Sequence, residues 1–349
     1  AVADQDALGE RIEEPRVVTG RCHGHQGSCR PRGEESGRCS TREHYPEIVD
    51  GTDREDAGST DSQTPQPVLR EPVLIAAFEG WNDAADAAST AVEHLALIWD
   101  AQPLAAIDSD DYYDYQVNRP SVKQVDGITR RIDWPTSAFS YCRPPGSDRD
   151  VILLRGIEPN LRWRSFCDEI LQLAMRFEVQ TVVTLGALLA DTAHTRPVPV
   201  TGSAYSAESA AKYKVNESRY EGPTGITGVL QDACVQAGIP AVSFWAAVPH
   251  YVTAAPNPKA TAALLAQVEE VLDVEVPVGE LSAAAEEWER TVTEMTSEDE
   301  EMADYVRGLE ERGDAEADVE DTMRKIDGDA LAADFERYLR RRGGSEGPG

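Results

Sequence analysis

The chain has 349 residues and a formal net charge of −30 at pH 7, with 63 acidic and 33 basic side chains. This length suits one large domain with an appendage or two modest domains, and the negative charge argues against nucleic acid and anionic membrane surfaces as partners. Because no apolar stretch approaches the about 18 residues of a membrane span and no signal-peptide pattern begins the chain, we expect a cytoplasmic protein.

Residues 1–67 predict a disordered N-terminal extension. They are rich in Gly, Ser, Arg, Asp, Glu and Pro and show almost no apolar periodicity. The run Cys22-His23-Gly24-His25, with Cys29 and Cys39, resembles a metal site in composition. A structural zinc site normally lies in a small fold with two separated ligand pairs, and nothing around this run could form one. We therefore predict no metal site and no cofactor.

From Pro72 the apolar pattern alternates between strand length and helix length, which predicts a βα succession. Strands that are nearly continuous in apolar residues indicate a largely parallel sheet covered on both faces. We predict a three-layer α/β/α core over residues 68–278, with Asp83 as N-cap of the first helix and Asp86 in its first turn. The predicted strands are Val73–Phe78, Leu104–Ile107, Val151–Arg155, Val179–Leu185 and Ala241–Val248, and the predicted helices are Ala84–Ile98, Leu161–Phe177, Gly228–Ala237 and Lys259–Leu272.

One segment interrupts this alternation. Residues Ser121–Trp134 predict a β-hairpin around Asp126-Gly127, a dipeptide that accepts the positive φ angles of a tight turn. A hairpin that protrudes from an α/β body is suited to an oligomer contact. An extension of the sheet edge is equally compatible with the sequence.

After Pro277 the chain becomes helical and acidic. Apolar residues at spacings of four and three, from Leu281 to Met295, lie on one helix face. Ser297 and Glu300 predict a capping box for a next helix that stops before Gly313, and a last helix begins near Asp329. We predict a C-terminal helical lid at residues 279–342, packed on or over the core, and a disordered tail at 343–349.

Candidate ligand-binding residues follow the predicted strands, where the carboxyl ends of parallel strands meet at one sheet edge. A Gly-rich loop before a predicted helix, Tyr220–Gly225, adds backbone amides there. The candidates are Glu79, Gly80, Trp81, Asn82, Gly186, Asp191, His194, Arg196, Glu221, Thr224 and His250.

The chemistry of these residues stays open at this point. His194 could act as a general base, with Asp191 orienting it and Arg196 holding an anion, or its ring could simply fix the loop by hydrogen bonds. Glu79 beside Trp81 could have a raised pKa, or it could hold the turn shut. The Tyr220–Gly225 loop could bind phosphate or only start a helix. No nucleophile elbow or dinucleotide fingerprint occurs, so we assign no catalytic residue.

Five motifs in order resemble the proteasome assembly chaperone family, in its actinobacterial branch. Each motif alone is weak, but the five in this order are specific, and the resemblance runs from about Pro72 to Arg342. The motifs are Phe78–Asp83, Leu185–Asp191, His194–Pro197, Tyr220–Gly225 and Pro249–Tyr251.

The resemblance implies a core similar to purine nucleoside phosphorylases and related hydrolases. It also implies a homotrimer with the hairpin at subunit contacts and a C-terminal helical region over a ligand cleft. Proteasome subunits become candidate partners, because the eukaryotic relatives are chaperones, but no catalytic role carries over. Two hypotheses remain: an oligomeric scaffold or binding protein with a ligand cleft at the carboxyl edge, and a small-molecule enzyme of nucleoside phosphorylase or hydrolase type.

Overall fold

The structure, a computed structural model, describes residues 66–125 and 129–325. The predicted extension, apart from residues 66 and 67, lies outside the described residues, together with its metal-like Cys and His run. The same holds for the helix predicted near Asp329 and for the tail at 343–349.

An eight-stranded mixed sheet forms the centre of the described chain, in the order β2-β5-β6-β1-β7-β10-β8-β9. The four strands β6, β1, β7 and β10 are parallel to one another, while β5 and β8 run antiparallel to their neighbours β6 and β10. β3 and β4 pair separately, as predicted for the hairpin strands, while the predicted turn at Asp126-Gly127 lies outside the described residues. The strands are β1 (Val73–Glu79), β2 (Gln102–Ile107), β3 (Ser121–Val125), β4 (Thr129–Asp133), β5 (Ser137–Cys142), β6 (Val151–Ile157), β7 (Thr181–Ala190), β8 (Val200–Ala204), β9 (Asn216–Glu217) and β10 (Ala241–Pro249).

Helices cover both faces of this sheet, which confirms the predicted three-layer arrangement. They are α1 (Ala87–Ile98), α2 (Trp163–Arg176), α3 (Ala207–Tyr213), α4 (Ile226–Gln236), α5 (Pro258–Leu272), α6 (Glu280–Ser297) and α7 (Glu300–Lys325). None of the helices in the described ranges is long and apolar enough to cross a membrane.

The β1 strand is apolar from Val73 to Phe78 because both of its faces are buried. Val73, Ile75 and Ala77 pack in one core layer with α1 and α5, whereas Leu74 and Phe78 pack in the other with α2 and α4. All of these side chains are fully buried. A strand that is buried on both faces needs apolar residues at every position, because neither face meets water.

The carboxyl ends of the four parallel strands lie at one edge, as predicted. Backbone hydrogen bonds join the segments that leave the strands: Glu158 N donates to Glu79 O at 2.9 Å, and Ala187 N donates to Asn82 O at 2.8 Å. β7 is longer than predicted. Its residues 186–190 continue the strand and pair with residues 245–249 of β10, so Gly186 lies within a strand and not in a loop.

The first helix begins three residues later than predicted. Ala84–Asp86 form a 3-10 turn, and the left-handed φ angles of Ala85 (53°) and Asp86 (54°) delay the α-helix until Ala87. Asp83 is therefore not the residue directly before the helix. Its carboxylate nevertheless accepts hydrogen bonds from Ala88 N at 2.6 Å and Ser89 N at 3.1 Å, so it caps α1 from a distance.

Two predictions about the C-terminal helices are wrong. Ser297 is the last residue of α6, and its hydroxyl donates to Glu294 O at 2.8 Å instead of capping the next helix. Asp299 caps α7, since its Oδ1 accepts from Glu301 N and Met302 N. α7 also continues through Gly313 to Lys325. A glycine within a helix costs only about 1 kcal/mol relative to alanine, which is too little to end a helix that its neighbours continue.

Candidate functional site

The turn after β1 has a backbone that only glycine adopts easily. Gly80 has φ +115°, in the region where a Cβ atom is strained, and Asp83 N donates to Gly80 O at 3.1 Å to close the turn. The next residue, Trp81, is 65% exposed. The turn therefore presents an indole ring to solvent at the carboxyl edge of the sheet.

Asn82 turns inward and joins three segments of this edge. Its side chain is 1% exposed, and its Nδ2 donates to Glu158 Oε1 at 2.7 Å. The same Glu158 oxygen accepts from Ile226 N at 2.8 Å, at the first turn of α4. Asn82 Oδ1 lies so close to Gly225 that a Cβ atom on Gly225 would approach it to 2.1 Å. Glu158 was missed as a site residue, although it follows a buried strand at the same edge.

Glu79 pairs with Arg155 on the neighbouring strand, with 3.0 Å between Oε1 and Nη2. Burial raises the pKa of the Glu79 carboxyl, and the Arg155 guanidinium partly offsets that rise. Glu79 is not among the residues that line the cavity described next.

A cavity of about 850 Å³ opens beside these turns, and we call it the carboxyl-edge cavity. Three predicted residues, Gly80, Trp81 and Thr224, line it. Gly186 borders its Trp245 wall, since a Cβ atom on Gly186 would meet the Trp245 ring at 2.6 Å. Glu221 is exposed and is not a lining residue. The wall residues that sequence reasoning missed include Ser203, Tyr205, Gln231, Ser243 and Trp245.

The sequence positions of Ser243 and Trp245 could have indicated that they line a cavity. They are alternate residues of β10, on the face opposite to that of Phe244 and Ala246, which pack in the α1–α5 core layer. A serine and a tryptophan at alternate positions of a strand that is otherwise apolar indicate a face that is only partly filled.

The other predicted residues lie together elsewhere, against α6 and α7. We call Asp191, His194, Arg196 and His250 the helix-docking cluster. His250 Nδ1 lies 3.2 Å from Asp191 Oδ1, and its ring packs edge-on against Tyr305 of α7 at 5.7 Å between centroids.

His194 is 2% exposed, and both of its ring nitrogens have partners. Tyr251 Oη accepts from His194 N at 2.9 Å and lies 2.8 Å from Nδ1. Thr293 of α6 donates its own proton to Glu289 O, so it accepts from Nε2 at 3.0 Å. In the neutral ring the proton then lies on Nε2, and Nδ1 accepts from Tyr251 Oη. Burial lowers the pKa of His194, consistent with a neutral ring.

Arg196 binds α7 through a two-pronged ion pair. Its Nε and Nη2 donate to the two carboxylate oxygens of Asp314 at 2.7 and 2.8 Å, and its Nη1 lies 3.4 Å from Glu310. Lys259 adds a further link, since its Nζ donates to His194 O at 2.6 Å and to Glu289 of α6. The cluster therefore holds the two C-terminal helices.

The structure thus places some predicted residues at the carboxyl-edge cavity and others in the helix-docking cluster, while Glu79 and Glu221 belong to neither group. None of the cavity-lining residues within 66–125 and 129–325 comes from α6, α7 or the helix-docking cluster. That these helices form a lid over a ligand stays a prediction. Among the residues that the structure describes, no group of three or more His, Cys, Asp or Glu side chains is placed to hold a metal ion.

Comparisons with known proteins place the chain in a family. The PAC2 family profile matches residues 77–296, which is more than half of the chain. A crystal structure of a proteasome-assembly chaperone homologue from Mycobacterium tuberculosis is 65% identical, with a TM-score of 0.62, and the match covers 67% of this chain and 99% of that chain.

Two further crystal structures are similar. A PAC2 family protein from Streptomyces avermitilis is 54% identical with a TM-score of 0.64, over 67% of this chain and 99% of that one. A Mycobacterium tuberculosis protein of unknown function is 30% identical with a TM-score of 0.67, over 75% and 90%. No curated protein matches the chain. The family profile and the two more similar structures agree: this chain belongs to the PAC2 family, and its structure has the fold that these relatives share.

Proposed function

We propose that this protein is a non-catalytic binding protein of the proteasome-assembly-chaperone type. In this proposal it self-associates as a trimer through the β3–β4 hairpin, binds proteasome subunits and takes a small ligand in the carboxyl-edge cavity. The partner class is supported by the 65% identity to a protein described as a proteasome-assembly chaperone homologue. The cavity volume of about 850 Å³ lies within the range of small-molecule sites.

One observation supports the non-catalytic part of the proposal. The side chains best suited to catalysis are already engaged in hydrogen bonds and ion pairs within the protein. A general base needs a free nitrogen within reach of its substrate, but both ring nitrogens of His194 are engaged by Tyr251 and Thr293. Arg196, the candidate anion clamp, is paired with Asp314 and Glu310. These residues join the core to α6 and α7, and neither is among the described residues that line the cavity.

The hairpin supports the self-association part. Val122 and Ile132 are directly opposite each other on β3 and β4, and they are 63% and 52% exposed. The two strands also carry Lys123, Arg130 and Arg131 against one acidic residue, Asp133. A basic, partly apolar hairpin on a chain of net charge −30 is complementary to the acidic surface of another copy.

Proteasome binding can be tested with purified components. The full chain should be mixed with purified α- and β-type proteasome subunits of Mycobacterium tuberculosis, the species of the 65% identical relative, and separated by size exclusion with light scattering. We expect a stoichiometric complex with at least one subunit type. An unrelated acidic protein of similar charge serves as the control. A trimer that elutes alone in every mixture would refute this partner.

An enzyme of nucleoside phosphorylase or hydrolase type is the second candidate, and the pKa of Glu79 favours it. Burial raises the pKa of this carboxyl at the same sheet edge, which suits an acid or base. Incubation with nucleosides, with and without phosphate, followed by product chromatography tests this candidate. Turnover that Glu79→Gln abolishes would replace the non-catalytic proposal.

A further inference from the structure

We propose that the carboxyl-edge cavity binds a neutral, planar heteroaromatic molecule that carries a ring N–H donor, with the ring against Trp245 and the N–H directed at Gln231. This inference rests on the proposed ligand cavity and names the chemistry of its occupant. It does not depend on a proteasome partner.

Trp245 provides a flat surface that is held in place from behind. It lies directly opposite Gly186 in the register of β10 and β7, and a Cβ atom on Gly186 would approach the six-membered ring of Trp245 to 2.6 Å. The ring therefore packs on bare backbone. Its Nε1 donates to Ser243 Oγ at 3.3 Å, which fixes the rotation of the ring. Trp245 is half-buried and lines the cavity, so an aromatic ligand can stack on it.

Further aromatic side chains surround the same space. Trp81 is 65% exposed, Tyr220 67% and Tyr205 37%, and all three line the cavity. Large aromatic side chains that are exposed within one concavity are typical of a ligand-binding groove. An aromatic ring bound between Trp245 and these side chains would bury apolar surface on both of its faces.

Gln231 supplies the specific polar contact. It lines the cavity from α4 and is 1% exposed, yet no described residue donates a hydrogen bond to its carboxamide oxygen. Its Nε2 makes only a long contact of 3.5 Å to Ser203 O. The carboxamide oxygen of Gln231 can therefore accept a hydrogen bond from a molecule in the cavity. A ligand N–H at this position would supply the donor.

The charged side chains of the cavity wall balance each other, which favours a neutral ligand over an ionised one. Among the described lining residues, Glu217 and Arg219 are the charged ones, and their formal charges cancel. The remaining polar side-chain groups are hydroxyls, such as Ser203 Oγ and Ser243 Oγ, which lie 3.0 Å apart, the carboxamides of Asn216 and Gln231, and the indole N–H groups. This set suits a neutral molecule with both donor and acceptor atoms on its edge.

Benzimidazole and 1-methylbenzimidazole form a matched pair of probes, because they differ in the ring N–H. Their binding to the full chain can be measured by ligand-observed NMR titration at a pH where both are neutral. We expect saturable binding of benzimidazole, with about 3- to 10-fold weaker binding of the methylated ring, as one lost hydrogen bond implies.

Three variants localise the effect. Gln231→Leu should abolish the preference for the N–H ring, while Gln236→Leu, an exposed position of the same helix, should keep it. Trp245→Ala should weaken the binding of both probes by a similar factor. This variant tests the stacking surface independently, also in the case that Gln231→Leu does not fold. Circular dichroism and melting temperature establish which variants are folded.

The proposal is overturned if neither ring binds the folded wild type saturably, or if the two rings bind equally well. It is also overturned if folded Gln231→Leu keeps the preference, or if folded Trp245→Ala leaves the affinities unchanged. None of these outcomes affects the proteasome mixing experiment, so the ligand class and the partner class fail separately.

Discussion

The buried ring of His194 lies between Tyr251, which follows β10, and Thr293 of α6. In the sequence it follows a strand, near Asp191 and Arg196, which is a pattern that fits a general base with an orienting carboxylate. In the structure, Asp191 pairs with His250 instead, and the His194 ring lies between Tyr251 and Thr293. A residue 99 positions away in the chain therefore completes the surroundings of this histidine.

The lowered pKa of His194 has a measurable consequence. Because burial lowers its folded-state pKa below 6.5, the unfolded chain binds the proton more readily between that pKa and 6.5. Its contribution to stability is complete above about pH 6.5 and is lost as the pH falls through the folded-state pKa. We expect the free energy of unfolding to fall more between about pH 7.5 and about pH 5.5 in the wild type than in His194→Gln, by urea denaturation. An identical pH dependence in both proteins would contradict this account.

The contact between Asn82 and Gly225 gives a second prediction for single residues. Gly225 has φ −93°, which any residue adopts, so only the 2.1 Å approach of a Cβ atom to Asn82 Oδ1 excludes a side chain. We expect Gly225→Ala to lower the free energy of unfolding by about 1–3 kcal/mol in the wild type, and by much less in an Asn82→Ala background.

Denaturant unfolding of the four proteins in this cycle measures the coupling. Gly308→Ala is the matched control, because Gly308 lies in α7 and a Cβ atom there would meet nothing within 4 Å. It should raise stability by up to about 1 kcal/mol. Equal effects of Gly225→Ala in both backgrounds would show that the contact is not the cause.

Among the elements, the C-terminal helices depend on loops of the core for their position. α6 packs along α5, and α7 is attached where Arg196 meets Asp314 and Glu310. The amphipathic spacing from Leu281 to Met295 predicted the helix but not its contacts. Periodicity records which face of a helix is apolar, whereas the surface that covers this face is set by distant residues.

We expect Arg196→Met to loosen α7 without unfolding the sheet. Hydrogen exchange followed by mass spectrometry should then show faster exchange in α7, with β1 and β7 unchanged. Arg290→Met is the control, since Arg290 pairs only with Glu287 and Glu294 of its own helix α6 among the described residues. If α7 exchanges at the same rate in both variants, Arg196 does not hold the helix.

At the scale of the whole molecule, charge and the hairpin together argue for self-association. An acidic chain repels its copies unless specific contacts overcome the repulsion. The hairpin brings Lys123, Arg130 and Arg131 together with exposed Val122 and Ile132, and Trp134 beside it packs on Tyr115 at 4.9 Å between ring centroids. The hairpin thus combines opposite charge with apolar surface.

We expect the full chain to form a trimer that Val122→Asp combined with Ile132→Asp converts to monomer. Size exclusion with light scattering measures the mass, and high salt should weaken the trimer because ion pairs contribute to it. Met175→Asp, at a residue that is 57% exposed on α2, should leave the mass unchanged. A wild type that stays monomeric would refute the hairpin contact.

The sequence by itself determined the fold class, the parallel centre of the sheet and the edge at which its loops meet. Runs such as Val73–Phe78 carry this information locally, because burial on both faces removes every polar residue from the strand. The five ordered motifs also indicated the family to which the chain belongs.

Only the tertiary structure decided which side chains at that edge share a cavity and which hold helices. β5 was not predicted because Ser137–Cys142 is short and half polar, and it becomes a strand by pairing with β2 and β6. Likewise, Trp245 becomes a cavity wall because Gly186 lies opposite it, and the second ring nitrogen of His194 has a partner because α6 returns to it. Contacts between residues far apart in the chain leave no periodic pattern, so their outcome appears only when the chain is folded.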